Sequence, residues 1–302
     1  MRTLGLVLVD DANEFQQLLA REAAEAAKQL GIAVQVRASG VGGYELGAQL
    51  KLIDGWLEGD VKPDALLVLA ARDRGLSRTI RAAARSGIHW ISLNRTEDDL
   101  DVVQRDFPRV VVATVCPDEK ETGRIQARIV RRLLPRGGRV LQVTGYSRSL
   151  TARDRSDGFA EALAGGPYET LRVEAGWSAT EAHAAVGTWL RIVLRARRKL
   201  DAIVCHTDAL AEGTLQALHE VRSELGCHDL QLPIVGCDGT PSQGQALVAS
   251  GRLTATVILP RAAATAIGLL SSALERRTPM PAFTALAGQP WPEDFVSLRP
   301  SA

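Results

Sequence analysis

Aromatic residues are scarce in this chain, at 4% of 302, and it holds only two methionines and four cysteines. Nowhere does it run for the roughly 18 uninterrupted apolar residues that a membrane span requires, so membrane insertion is not expected. Met1-Arg2-Thr3 leads straight into an apolar stretch of about seven residues that Asp10 and Asp11 stop, too short for the core of a secretory leader. Cys116, Cys205, Cys227 and Cys237 lack framework spacing, and three of them end apolar runs, where buried thiols behave as small hydrophobes; disulfides are not expected. Cys205-His206 and Cys227-His228 have no Cys-x-x-Cys or His-x-x-x-His companion, so no metal site is expected, and no cofactor. Excess charge is missing too. Lys+Arg of 36 against Asp+Glu of 35 leaves +1, with no basic tail, which argues against nucleic acid and for a small-molecule partner.

What the chain does have is a repeating unit: a short aliphatic run breaks off into polar residues, and a helical stretch follows. Gly5 to Val9 ends in Asp10, Asp11 and Asn13; Trp90 to Leu93 in Asn94 and Arg95; Ala202 to Cys205 in His206, Thr207 and Asp208; Ile234 to Cys237 in Asp238. Strands that alternate with helices form parallel sheets covered on both faces, and ligands sit beyond the carboxyl ends of such strands.

Apolar runs predict strands near 3–9, 32–38, 64–70, 89–93 and 109–115, with helices near 13–30, 43–58, 74–86 and 118–134 between them. A second series follows, with strands near 138–144, 169–175, 200–205, 232–237 and 253–258 and helices near 150–164, 178–198, 208–224, 240–250 and 260–277. Gly31, Gly226 and Gly251 stand as helix stops, and Pro117, Pro241 and Pro260 where helices start. From Thr278 onward, Pro279, Pro281, Pro290, Pro292 and Pro300 rule out another long helix and predict an extended tail.

Several catalytic motifs fail. Gly40-x-Gly42-Gly43 lacks the third glycine of a dinucleotide fingerprint, and Gly145-Tyr146-Ser147-Arg148-Ser149 has serine where a nucleophile elbow needs glycine. His183 and His219 have no partner recognisable from sequence, so nothing points to covalent catalysis and the chain does not read as an enzyme. The polar strand ends do better: Asn13, Asn94, Arg95 and Asp238 both donate and accept hydrogen bonds, as a polyhydroxylated ligand demands. Phe15 and Trp177 each follow a strand, where an aromatic face can stack on a sugar ring, although either residue alone is more often core packing.

Three segments, Asp11 to Phe15, Ser92 to Arg95 and Thr151 to Phe159, resemble the type I periplasmic binding proteins of the ribose and galactose type, a fold shared with the effector core of lac-repressor-like regulators. Asp208 to Gly213, Ile234 to Pro241 and Gly251 to Val257 continue the resemblance in register, over about residues 3–285. It implies two doubly wound α/β/α domains with parallel sheets joined by three hinge crossings, here 1–115 with 260–284 and 118–258 with 286–302. It also implies ligand contacts at Asn13, Phe15, Asn94, Arg95, Arg153, Trp177, Thr207 and Asp238, with Asp11 or Asp10 as a further acceptor.

Departures from the ribose pattern are equally legible. Gln16 replaces a second aromatic, Asn94 an aspartate, Thr207 an asparagine, Leu259 a glutamine and Leu69 a polar residue, so the ligand is open and an acidic or modified sugar is allowed. The function implied is capture of a sugar or sugar-like molecule in an interdomain cleft by hinge closure, for an ABC importer. A cytoplasmic effector-binding sensor that reports to a signalling protein is the alternative, and an enzyme working in the cleft a third. The first reading places the protein in the periplasm if a leader was removed; a native start at Met1 and four free cysteines would place it in the cytoplasm. The helix-turn-helix segment of the repressors is absent from these residues.

Overall fold

A computed structural model of the chain describes residues 1–40, 45–72, 74–93 and 100–293. Its elements in order are β1 (Thr3–Leu8), α1 (Glu14–Gln29), β2 (Ala33–Ala38), α2 (Leu46–Leu57), β3 (Ala65–Leu69), α3 (Ser77–Arg85), β4 (His89–Leu93), α4 (Leu100–Asp106) and β5 (Val112–Pro117). Then come α5 (Glu119–Leu133), β6 (Gly138–Thr144), α6 (Leu150–Leu163), β7 (Tyr168–Glu174), α7 (Ala179–Arg195), β8 (Ala202–Cys205), α8 (Asp208–Leu225) and β9 (Ile234–Val235). A π-helical turn (Pro241–Gln245) runs into α9 (Ala246–Ala249), followed by β10 (Thr256–Ile258), α10 (Ala262–Arg276), β11 (Phe283–Leu286) and β12 (Gln289–Trp291). Two compact units result: Met1–Pro117 with Pro260–Leu286, and Asp118–Leu259 with Ala287–Ala302.

The first unit is a six-stranded parallel sheet in the order β2-β1-β3-β4-β5-β11. Strand side chains alternate between faces, and here both faces are covered. Leu4, Leu6, Leu8, Leu67 and Leu69 pack with Leu19, Ala23, Ile267 and Leu270 from α1 and α10. Val7, Leu66 and Val68 turn the other way, onto Ile53, Trp56 and Ile80 from α2 and α3. Burial on both sides is why these strands read as continuous aliphatic runs instead of alternating ones.

In the second unit β7-β6-β8-β9 form a parallel sheet. Single bridges, Val235 to Ala255 and Asp238 to Ile258, carry the pairing on to β10, and β12 runs antiparallel along β10 with Thr256 opposite Trp291. Leu141, Val143 and Ile203 pack with Val186, Leu190, Leu210 and Val221 from α7 and α8. His183, unpaired in the sequence reading, has its Nε2 2.9 Å from Glu220 Oε2 and ties α7 to α8.

Local chemistry starts and stops the helices. Asn13 caps α1 by accepting from Gln16 N, Thr207 caps α8 by accepting from Leu210 N, and Ser178 with Glu181 forms a reciprocal capping box on α7. Each cap satisfies amides that the helix leaves orphaned, worth about 1 kcal/mol. Gly226 ends α8 with φ of 66°.

Three segments differ from the sequence reading. Helix α4 was missed because Leu100 and Val103 are its only buried residues, too little apolar signal to register. The helix expected over 240–250 divides into the π-helical turn and a single turn of α9. The proline-rich tail is extended as expected, but it also pairs, as β11 and β12.

Both sheets share one feature that positions a site. β1 lies between β2 and β3, and β6 lies between β7 and β8, so the connections on either side of each first strand wind in opposite directions. At such a switch point the loops beyond the carboxyl ends diverge and leave a crevice.

Candidate functional site

In the first unit the carboxyl end of β1 is held by Gln16. Its Oε1 accepts from Val9 N at 2.8 Å and Asp10 N at 3.0 Å, with the side chain 3% exposed. The residue that replaced an expected aromatic is therefore turned into the backbone, where it fixes the loop. Asp10 Oδ1 accepts from Ala12 N at 2.9 Å, and the Asp11 carbonyl accepts from Gln17 Nε2 at 2.8 Å. Around this frame Asp11 is exposed, Asn13 is half-buried with Oδ1 committed to its cap, and Phe15 is buried. Asn94 and Arg95 lie outside the described residues.

The second unit gathers more. Trp177, in the loop after β7, is half-buried, and its ring lies 6.5 Å from that of His206 at an interplanar angle of 31°. Glu181 holds the Trp177 loop: it accepts from Trp177 N at 3.2 Å, Ser178 N at 3.2 Å and Tyr146 Oη at 2.6 Å. Burial works against its charge, but these donors outweigh burial and keep the Glu181 carboxyl below the usual range. Thr207 is half-buried at the start of α8. Arg153, in the first turn of α6, is exposed.

Asp238 sits just beyond β9 with φ of 108°, a region that side chains rarely adopt. Flanking bonds hold it there: its N–H donates to Val257 O at 3.0 Å and its carbonyl accepts from Leu259 N at 3.2 Å. The Asp208 N–H donates to its carboxylate. Burial first, and the Asp208 carboxylate second, push the Asp238 pKa well above the ordinary carboxylate value, with Arg155 pulling against them. Trp177, Thr207 and Asp238 are thus joined through His206 and Asp208, while Arg153 stands on α6, which follows the loop leaving β6.

Two buried groups beneath this surface were not among the ligand contacts expected from sequence. Arg155 is 2% exposed; its Nε donates to Glu119 Oε2 at 2.9 Å, Nη2 pairs with the same oxygen, and Nη1 donates to the His206 carbonyl. Burial disfavours its charge, yet Cys237, Glu119 and Asp238 outweigh burial and raise its pKa. A signal for it existed. Ala152, Arg155, Phe159 and Leu163 recur at helical spacing, so Arg155 falls on the buried stripe and Arg153, two residues back, on the opposite face. His206 is fully buried; Nδ1 accepts from Gly145 N at 3.3 Å, and Nε2 lies 3.5 Å from Ser156 Oγ. Burial, then the neighbouring Arg155 and Arg172, lower its pKa well below the ordinary histidine value, so the ring is neutral.

Cys116, Cys205 and Cys237 are buried and in no disulfide, and burial pushes the Cys205 thiol up to about 12. Among the described residues no three His, Cys, Asp or Glu side chains are grouped to hold a metal ion, and no helix is long and apolar enough to cross a membrane.

A family model described as a periplasmic binding protein domain matches residues 4–271. The chain belongs to that family. Among curated members it is similar to the ribose import binding protein of Salmonella typhimurium, 25% identical over 193 residues, which are 64% of this chain. The chain spans 58% of the length of that relative. Among solved structures it is similar to the fructose-binding periplasmic domain of a hybrid two-component system, at 23% identity and a TM-score of 0.78, covering 96% of this chain and 90% of that one. It is also similar to an ABC transporter periplasmic solute-binding protein from Actinobacillus succinogenes with bound D-allose, at 18% identity and a TM-score of 0.82, covering 98% and 99%. These likenesses establish the fold of two α/β domains with parallel sheets that the sequence motifs implied, and family membership accounts for the motifs appearing in register.

Proposed function

We propose that this periplasmic binding protein family member captures a sugar or sugar-like small molecule without transforming it and delivers it to an ABC permease. The observation that carries the reading is the set of groups beyond the carboxyl ends of the second unit's strands. An aromatic face (Trp177), a guanidinium (Arg153), a hydroxyl (Thr207) and a carboxyl (Asp238) are the inventory that a ring with an apolar face and a hydroxyl rim requires. In this reading Trp177 stacks on the ring, Arg153 donates to neighbouring hydroxyls, and Thr207 and Asp238 take part in the hydrogen bonding of the rest. Asp11, Asn13, Phe15, Asn94 and Arg95 form the first unit's share. The names of the similar proteins, a ribose import binding protein and a periplasmic solute-binding protein with bound D-allose, support the sugar class and a periplasmic setting for the proposed work.

The test is a thermal-shift screen over pentoses, hexoses, inositols and sugar acids, followed by titration calorimetry of each responder, since a ligand that binds only the native state raises the midpoint. At least one responder with a defined dissociation constant and unchanged sugar after prolonged incubation is expected. No response across the panel overturns the sugar class, and turnover of the sugar overturns simple capture. One observation favours a second reading, in which the captured sugar is reported to a signalling protein: a similar structure is the fructose-binding periplasmic domain of a hybrid two-component system. Cross-linking of the sugar-loaded protein in its own cells separates the two by the partner recovered, permease or kinase.

A further inference from the structure

We infer that Asp208 is a positioning residue that shapes the loop from Gly236 to Thr240 and thereby aims the carboxyl of Asp238. The claim rests on the proposed function, in that Asp238 is taken to grip the ligand. Asp208 is the first residue of α8 and is fully buried, so it has no ligand contact of its own. Its Oδ2 accepts from Gly239 N at 2.7 Å and its Oδ1 from Thr256 Oγ1 at 2.7 Å. The N–H groups of Cys237 and Thr240 donate to the same carboxyl.

The backbone closes round it on two sides. A Cβ at Gly236 would lie 2.1 Å from Oδ1, and one at Gly244, in the π-helical turn, 2.0 Å from Oδ2. Such contact leaves no room for a side chain at either position, so the segment from Gly236 to Gly244 is wrapped on the carboxyl and takes its path from it. π-Helical turns concentrate at functional sites, and here the turn begins three residues after Asp238. The relation is reciprocal: the carboxyl of Asp208 collects the loop's amides, and the Asp208 N–H donates back to the carboxylate of Asp238. An aspartate at φ of 108° with Gly239 at 60° next to it is a conformation that the chain does not adopt unaided, and the buried acceptor supplies the restraint.

Hydrogen–deuterium exchange on the full chain, without any ligand, tests the restraint. In Asp208→Ala the amides of Cys237, Gly239 and Thr240 are expected to exchange at least about tenfold faster than in the parent, while β6 and β8 keep their protection. Asp208→Asn, which offers one oxygen to Gly239 and an amide to the Thr256 hydroxyl, is expected to restore most of it. Should Asp208→Ala fail to fold, Thr256→Val removes one of the bonds in an otherwise intact unit and is expected to loosen the same loop to a smaller degree. Unchanged exchange at residues 237–240 in the folded variants, or acceleration spread evenly over the second unit, overturns the inference.

Titration with D-ribose, D-allose and myo-inositol reads the consequence. Thr256→Val is expected to weaken a binding sugar about tenfold in the parent background and to have no further effect in an Asp238→Ala background, because the residue acts through Asp238. Additive losses in the two backgrounds overturn the link to Asp238. Absence of binding by the parent to these three and to every sugar of the wider panel overturns the proposed function instead, and the exchange result still decides what Asp208 does to the loop.

Discussion

The indole of Trp177 lies against the Cα of Gly145: a Cβ added there would stand 2.2 Å from Cζ2 and 2.3 Å from Cη2. Gly145 also donates its N–H to His206 Nδ1, so one glycine seats both rings of the tilted pair. Gly145→Ala must push the indole off its place. Sugar affinity is expected to fall about tenfold or more with a smaller change in the unfolding midpoint; calorimetric titration beside a thermal melt checks it, and an unchanged dissociation constant would remove Trp177 from the site.

Truncating the proposed contacts themselves separates binding from folding. Trp177→Ala and Arg153→Ala, at half-buried and exposed positions, are each expected to weaken the ligand by about 1–3 kcal/mol, roughly 5- to 150-fold, while leaving the circular dichroism spectrum as it was. Parent-like titration curves for both would dismantle the second unit's half of the site.

Arg155 gives the opposite expectation. Its substitution by Met leaves Glu119, about 10% exposed, without its cation and the His206 carbonyl without its donor. Breaking a buried pair from one side costs about 3–5 kcal/mol, to be read from urea unfolding. Removing Glu119 as well, as Arg155→Met with Glu119→Leu, is expected to recover part of the loss, and a double variant no better than the single one would contradict the assignment of that cost to the uncompensated charge.

Stability should also carry a signature of Asp208 in its pH dependence. Burial raises its carboxyl from 3.8 to about 7, against the pull of Thr256 and the loop amides. Between those values the folded state holds a proton that the unfolded state has released, so the contribution of Asp208 to stability declines as pH rises from about 4 and levels off above about 7. Buried neutral His206 has the reverse sign, weakening the fold as pH drops below the unfolded value of 6.5. Subtracting parent from Asp208→Asn unfolding free energies isolates the first effect: the difference is expected to grow with pH across that window, and a flat or falling difference would show that folding does not raise the Asp208 pKa.

Much of the architecture was legible from local pattern. Runs such as Leu4 to Val9 and Leu66 to Val68 announced doubly covered strands because each residue had a core to face, whereas Asn13 and Thr207, read from sequence as polar strand ends, proved also to cap α1 and α8. The short α4 escaped because two buried residues make no period. In the site, Trp177, Thr207 and Asp238 were visible as polar or aromatic residues at strand ends, whereas Gln16 was visible only as a missing aromatic and its role as a backbone acceptor was not.

The sequence by itself determined the alternation of strands and helices, the places where helices begin, and the family, since periodicity and capping are properties of neighbours in the chain. Tertiary structure alone decided which carbonyl and carboxylate the buried Arg155 meets, which histidine is sealed beneath Trp177, and that one buried aspartate gathers a loop. Those outcomes depend on partners distant along the chain, Arg155 with His206 across 51 residues and Asp208 with Thr256 across 48. Burial and hydrogen bonding arise only when such partners are brought together in space, so no local spacing encodes them.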